Sequence, residues 1–193
     1  APPPSISARS ALDVILKRRS AQSFDGHSVL PLTVLRRLLA CLLPGGAPVW
    51  TLWPHAPRVH PLLLAHRVEG LAPGLYALPR SDAAATALRA ACRAEFVWQA
   101  ADAELPLYRL LQAAAAKTAR TLSCHQDIAA HSALTLMFVA EFDAPLAATP
   151  AAYRHLHWEA GMLGHVGALE AEAAGWRGTG IGGFCDDADH EVL

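Results

Sequence analysis

The stretch Tyr153-Arg154-His155-Leu156-His157-Trp158-Glu159-Ala160-Gly161-Met162-Leu163-Gly164-His165-Val166-Gly167 decides the fold, and it reads as one long helix over 151–174. Gly161, Gly164 and Gly167 fall three apart. Each costs a helix roughly 1 kcal/mol against Ala. A helix carries that cost where another helix or a flat cofactor must approach its backbone. Further on, Gly180-Ile181-Gly182-Gly183-Phe184 reads as a Gly-rich extended piece, with a final strand expected near 179–185. A Gly-Gly pair in such a segment exposes bare backbone N–H groups. Together the two segments point to a planar ligand lying against backbone.

Working outward, Ser10 is placed to cap a helix over 11–18, with Leu12, Ile15 and Leu16 as its apolar stripe. Pro31 suits the first position of a helix running to Leu43, which Pro44-Gly45-Gly46 ends. Residues 47–60 read as irregular. Pro61 to Val68 and Leu75 to Leu78 form a hairpin around the turn Glu69-Gly70-Leu71-Ala72-Pro73-Gly74. Asp82 suits the cap of a helix over 83–93. Residues 95–116 read as helical with a break at Pro106, and 123–131 as another helix. Ala133 to Phe142 reads as a buried strand. Helices and strands interleave irregularly around one hairpin, which indicates α+β rather than a doubly wound sheet.

The chain of 193 residues is long enough for one domain with a sizeable core, expected over 10–193 behind a tail over 1–9. Its net charge is −1, without the basic excess of a general nucleic-acid binder. No apolar run reaches the roughly 18–20 residues that span a bilayer. The N-terminus shows no signal-peptide pattern, and the absent initiator Met allows Met removal or excision from a longer chain. Cys41, Cys92, Cys124 and Cys185 are scattered without a CxxC pair, which fits reduced, mostly structural thiols in a cytoplasmic protein.

Four segments, in order, carry a resemblance. They are Leu16-Lys17-Arg18-Arg19-Ser20-Ala21-Gln22-Ser23-Phe24, Val68-Glu69-Gly70-Leu71-Ala72-Pro73-Gly74-Leu75-Tyr76, the Tyr153-Arg154 to Glu159-Ala160-Gly161 part of the long helix, and Ile181-Gly182-Gly183-Phe184-Cys185-Asp186-Asp187. With them the chain resembles the FMN-dependent nitroreductase superfamily, and within it the SagB-type dehydrogenase branch. The resemblance implies a nitroreductase-like α+β fold, a mixed, mostly antiparallel sheet flanked by helices, and a homodimer built on the long helix with FMN at its interface. It implies an oxidoreductase of ping-pong type, with NAD(P)H or a reduced substrate as donor and a small molecule or peptide as acceptor.

The resemblance also assigns residues. Arg18, Arg19 and Ser20 match positions that hold the FMN phosphate and ribityl chain; guanidinium groups suit phosphate because they donate two parallel hydrogen bonds. Gln22 stands where relatives carry a second basic residue. Gln126 matches a family Gln before the central strand. Gly182 and Gly183 match positions whose N–H groups face flavin N5 and O4. Other stretches depart from the pattern: 54–61, where relatives hold the flavin ring, 147–152, where azoline oxidases carry a Lys-Tyr pair, and the end at Leu193, where relatives continue into a further strand.

Residue-level reading adds less. Tyr153 and His157 are the nearest ionisable groups by position, and no catalytic residue is assigned. His155 and His157, two apart on a helix, point to different faces, and no metal site is expected. Cys124-His125 reads as a buried Cys rather than a nucleophile with its base. Asp186-Asp187-Ala188-Asp189 reads as an acidic helix start. A second functional class competes: a degenerate domain of the same fold that dimerises or binds a partner or peptide without turnover.

Overall fold

The chain, as a computed structural model, is described over residues 9–193; the expected tail lies outside that range apart from Arg9. In order, the elements are α1 (Ala11–Lys17), α2 (Leu32–Leu42), a 3-10 turn (Pro48–Leu52), β1 (Val59–Ala65), β2 (Gly74–Ala77), α3 (Asp82–Ala91), β3 (Gln99–Ala100), β4 (Tyr108–Gln112), α4 (Ala116–Leu122), α5 (Asp127–His131), β5 (Leu134–Ala140), α6 (Asp143–Ala148), α7 (Ala152–Ala173) and α8 (Asp186–Val192). The strands form one sheet in the order β3-β4-β2-β1-β5. Every ladder in it is antiparallel, and among the described residues parallel pairing is confined to the bridge between Leu30 and Val68. The expected α+β architecture therefore holds.

β1 is apolar without alternation because it is covered on both faces. Val59, Leu63 and Ala65 face one cluster, with Leu35, Leu39 and Leu42 of α2 and Leu156, Leu163 and Val166 of α7. Leu62 and Leu64 face the other, with Leu75, Leu110, Ala119, Leu122 and Ala129 beneath α4 and α5. The sheet is thus the middle of three layers, with α2 and α7 on one side and α4, α5 and α8 on the other.

Three local expectations are corrected. Residues 95–116 are not helical: Tyr108–Gln112 pairs with β2 as β4, and β3 pairs with β4. The tertiary gain is the full burial of Leu110 while Leu111 stays 47% exposed, a strand alternation that outweighs the helical propensity of the Ala-rich flanks. Residues 123–131 are not one helix. Cys124 and His125 adopt φ of 50° and 60°, which no helix continues, and α5 starts at Asp127. The stretch 179–185 pairs with no strand and forms an irregular crossing. Caps shift slightly: Ser10 caps α1 as expected, Ser81 rather than Asp82 caps α3, and Pro31 is the residue before α2.

A buried ion pair ties the layers. Arg80, just after β2, bonds through Nη1 to Glu159 of α7, and the two are 4% and 1% exposed. Arg80 Nε donates to the Leu42 carbonyl at 2.8 Å, and Nη1 also donates to the Val59 carbonyl at 3.2 Å. Its guanidinium lies 4.4 Å from the Trp50 ring centroid, and Trp50 Nε1 donates to the Cys41 carbonyl at 2.8 Å. The Arg58 amide donates to the other Glu159 oxygen at 3.1 Å. One carboxylate and one guanidinium thus join α2, β1, the end of β2, the 3-10 turn and α7.

Removing one partner leaves a buried charge uncompensated, at a cost of about 3–5 kcal/mol. Glu159→Ala is expected to lose that much in urea unfolding, and the double variant Arg80→Met, Glu159→Leu to recover most of it. Equal stability of Glu159→Ala and wild type would contradict the buried pairing. Gly74 offers a second check. A Cβ there would stand 2.2 Å from the Leu111 carbonyl oxygen and 3.2 Å from Gln112 Cα. Gly74→Ala should cost about 1–3 kcal/mol by overpacking, read as a lower unfolding midpoint; an unchanged midpoint would contradict the β2–β4 approach.

Candidate functional site

An open groove of about 2130 Å³ runs along one side of the molecule. One wall is α7, whose Tyr153, His157, Ala160, Gly164, Gly167 and Ala171 line it. Their spacing of three or four marks one helix face. The opposite face of α7, with Glu159, Leu163 and Val166, is buried against the sheet and α2, and buried Leu156 stands where the two faces meet. Extra bulk on the groove face would meet little: a Cβ at Gly167 finds no atom within 4 Å, and one at Gly164 meets only Phe138, at 3.9 Å; Gly161, outside the groove lining, is equally open. The helix therefore carries its glycines for something outside the described chain or pays their cost without return.

The second wall is β5, an edge strand that is half-buried over most of its length although its sequence is Leu-Thr-Leu-Met-Phe-Val-Ala. The segments 20–25 and 175–181, with Phe184, also line the groove. These two segments touch: the Ala21 amide donates to the Gly178 carbonyl at 3.1 Å. Gln126 Nε2 lies 3.5 Å from the Gly183 carbonyl oxygen, at the limit of a hydrogen bond. The Gly-rich crossing is thus touched at Gly178 by the segment that follows Ser20 and at Gly183 by Gln126, while Gln126, Gly182 and Gly183 stand beside the groove lining and not in it.

The expected site residues fall as follows. Ser20 and Gln22 are exposed and line the groove. Arg18 caps the end of α1, half-buried, just before the lining begins. The Arg19 guanidinium turns back and donates to the carbonyls of Leu16 at 2.9 Å and Arg18 at 2.8 Å, so it caps its own helix. Gly182 and Gly183 are exposed, and neither N–H finds an acceptor among the described residues. Neither has a positive φ, so left-handed backbone is not the reason for Gly there. A Cβ on Gly182 would meet open space, and one on Gly183 would lie 3.4 Å from Gln126 Nε2 and 3.7 Å from Cys124 Sγ. Cys124, expected to be buried, is exposed, because the left-handed turn lifts it off the end of α4.

Aromatic and charged groups complete the groove. Phe142, Tyr153 and His157 form a chain of edge-on rings, with centroids 6.3 Å and then 4.7 Å apart. Asp25 accepts from the Ser28 hydroxyl, and from the amides of Ser28 and His27 at 2.9 Å each. The Ser28 hydroxyl and these amides hold its carboxyl far below the usual carboxylate range. No cluster of metal-ligating side chains occurs among the described residues, and no helix among them is long and apolar enough to cross a membrane.

Sequence reasoning missed a second cavity, of about 350 Å³, over the buried ion pair. Trp53, His55, Arg58, His155 and Glu159 line it, and the His55 and His155 rings stack with centroids 4.5 Å apart. The departing stretch 54–61 was a signal for this place, since it holds the residues that build the wall.

The fold defined by this sheet, its flanking helices and the long α7 is nitroreductase-like. It is similar to the crystal structure of a "putative nitroreductase" from Anabaena variabilis, with a TM-score of 0.74 and 21% identity over 95% of this chain. The match takes in 34% of that protein, so the chain spans about a third of its length. No family model matches the sequence, and no curated protein is similar to it.

Two buried histidines make stability pH-dependent. Burial, then the Arg80 guanidinium, lowers His60 to about 4. Burial, then Arg67, lowers His66 to about 4, with Thr135 Oγ1 3.4 Å from its Nε2. Unfolded histidine titrates near about 6.5. On acidification the unfolded chain therefore binds these protons first. The stabilisation is complete above about 6.5 and is lost as pH falls toward about 4, with a slope approaching about 1.4 kcal/mol per pH unit for each histidine. Urea midpoints should fall across that window, and replacing both residues by Gln should flatten the fall. A wild-type midpoint constant from neutral pH to about 4 would contradict neutral, buried histidines.

Proposed function

We propose that the chain is an FMN-dependent oxidoreductase of the nitroreductase type, on the SagB-type dehydrogenase side, and that it works as a homodimer. The observation that carries this reading is the groove between the small-residue face of α7 and β5, where the segment 20–25 meets the Gly-rich crossing at Gly178 and Gln126 touches the same crossing at Gly183. The residues fit the cofactor. Gly182 and Gly183 present exposed N–H groups that bond to nothing among the described residues, and Gly182 stands beside open space. Such donors suit the polar edge of a flavin, and Ser20 with Arg18 suits its phosphate and ribityl chain.

Bound FMN would supply the acceptance and delivery of hydride, alternating between a donor such as NAD(P)H and a small-molecule or peptide acceptor. The chain's own residues bind, orient and exclude water. The small-residue face of α7 and the half-exposed edge strand β5 leave the groove open on one side. A second copy of this fold, set against that side, would bury apolar surface and close the groove. Tyr153 and His157 stand together on the wall and are the ionisable groups placed to move a proton. Scattered thiols suit a cytoplasmic setting.

Arg18→Ala is expected to weaken FMN binding by about 1.5–3 kcal/mol, the scale of a charge-assisted hydrogen bond, in a titration followed by flavin fluorescence. Riboflavin, which lacks the phosphate, should lose far less. Equal losses for the two ligands would assign Arg18 to the fold instead. A folded wild-type protein that takes up neither flavin would favour a non-catalytic docking domain, for which the Arg19 cap and the uncharged Gln22 already speak.

A further inference from the structure

Cys124 and Cys185 stand 61 positions apart in the chain, yet their Sγ atoms are 3.6 Å apart. The approach is built into the backbone. The Cys185 amide donates to the Leu122 carbonyl at 2.9 Å, which anchors the start of α8 on the end of α4. Cys124 and His125 both occupy the left-handed region, and this turn presents the Cys124 thiol outward. Cys124 is exposed and Cys185 half-buried, so a dissolved reagent meets Cys124 first. The other two thiols are placed differently. Cys41 is buried, and burial and then Glu170 push it up to about 11. Burial also raises Cys92. Both are therefore poor sources of the thiolate that reacts.

We propose that Cys124 and Cys185 form a reversible dithiol–disulfide site, oxidised by a low-molecular-weight disulfide such as glutathione disulfide. The Cys124 thiolate attacks one sulfur of that reagent, its S–S bond breaks, and one glutathione leaves as thiolate and takes a proton. The Cys185 thiolate then attacks the Cys124 sulfur of the mixed disulfide and releases the second glutathione. The protein dithiol loses two electrons and two protons; the reagent gains both as two thiols. A disulfide needs its sulfurs at about 2.0 Å, so side-chain rotation and a small backbone adjustment close the remaining gap.

The bond would clamp the Gly-rich crossing. Between 178 and 185 that segment is held by the Gly178 carbonyl, the weak Gln126–Gly183 contact and the Cys185 amide. A Cβ on Gly183 would lie 3.7 Å from the Cys124 sulfur, so the link fixes the backbone next to those glycines. The site rests on the thiols alone and stands whether or not the groove takes a flavin.

The test equilibrates the full chain in glutathione buffers of graded reduced-to-oxidised ratio, then unfolds it in denaturant containing N-ethylmaleimide so that every free thiol, buried or not, is trapped. Trypsin cuts after Arg120, Arg154 and Arg177, so the two thiols fall in separate peptides, 121–154 and 178–193. Mass spectrometry should find these two peptides cross-linked in oxidising buffer and released in reducing buffer. Two of the four thiols should be lost, with Cys41 and Cys92 still alkylated. Cys185→Ser should trap Cys124 as its glutathione adduct. Hydrogen exchange of the 179–184 amides should slow in the cross-linked protein. Full alkylation of Cys124 and Cys185 in the oxidising buffer, or a link from Cys124 to any other cysteine, would overturn the site. Unchanged exchange across 179–184 in cross-linked protein would overturn the clamp.

Discussion

The rest of the structure depends on the buried contact between Arg80 and Glu159. Burying two charges is expensive, and burial lowers the Arg80 pKa. The arrangement is tolerable because every side of the pair is answered by a hydrogen-bonding group or an aromatic face. Leu42 and Val59 accept from the guanidinium, Trp50 covers it, and the Arg58 amide supports the carboxylate. These partners come from α2, the 3-10 turn and β1 with the residue before it, and they bind α7 to all of them. The pair therefore sets the rotation of α7 about its own axis, and with it which residues of that helix look outward.

That rotation makes the groove. With Glu159, Leu156, Leu163 and Val166 turned inward, the small residues and the Tyr153–His157 pair must line the other side. The edge strand β5 faces the same space and stays half-buried. An apolar edge and a glycine-bearing helix face are liabilities when left open to water. In the proposed dimer both become interface, and the cost of helix glycines acquires a purpose. Against that apolar wall, the groove also carries polar groups, with Ser20, Gln22, Ser23 and Asp25 in its lining. The contrast suits a ligand with a flat apolar body and a charged tail.

Much of this was legible in the sequence because it rests on local periodicity and on the Gly-rich motifs. α2, α7, the β1–β2 hairpin and β5 followed from spacing and turn residues. The region 95–116 did not, because its Ala-rich composition favours helix while its actual state is set by pairing with β2, a contact distant in sequence. The close approach at Gly74 was likewise invisible until β4 was in place. Glu159 belonged to a recognised motif, but its role needs Arg80, which nothing local singles out. The contacts of the Gly-rich crossing with Ala21 and with Gln126 were foreshadowed only by resemblance. The Cys124–Cys185 proximity was not foreshadowed at all, since scattered cysteines carry no spacing signal and the left-handed turn at Cys124 and His125 has no glycine to announce it.

In the proposed dimer, two copies of this fold close one groove around FMN. Sedimentation velocity of the protein with added FMN, followed both at the protein band and at the flavin's visible band, tests it most directly. The account predicts a single boundary of dimer mass that carries the flavin absorbance. A folded monomer at micromolar concentration with all flavin absorbance left unsedimented would contradict it.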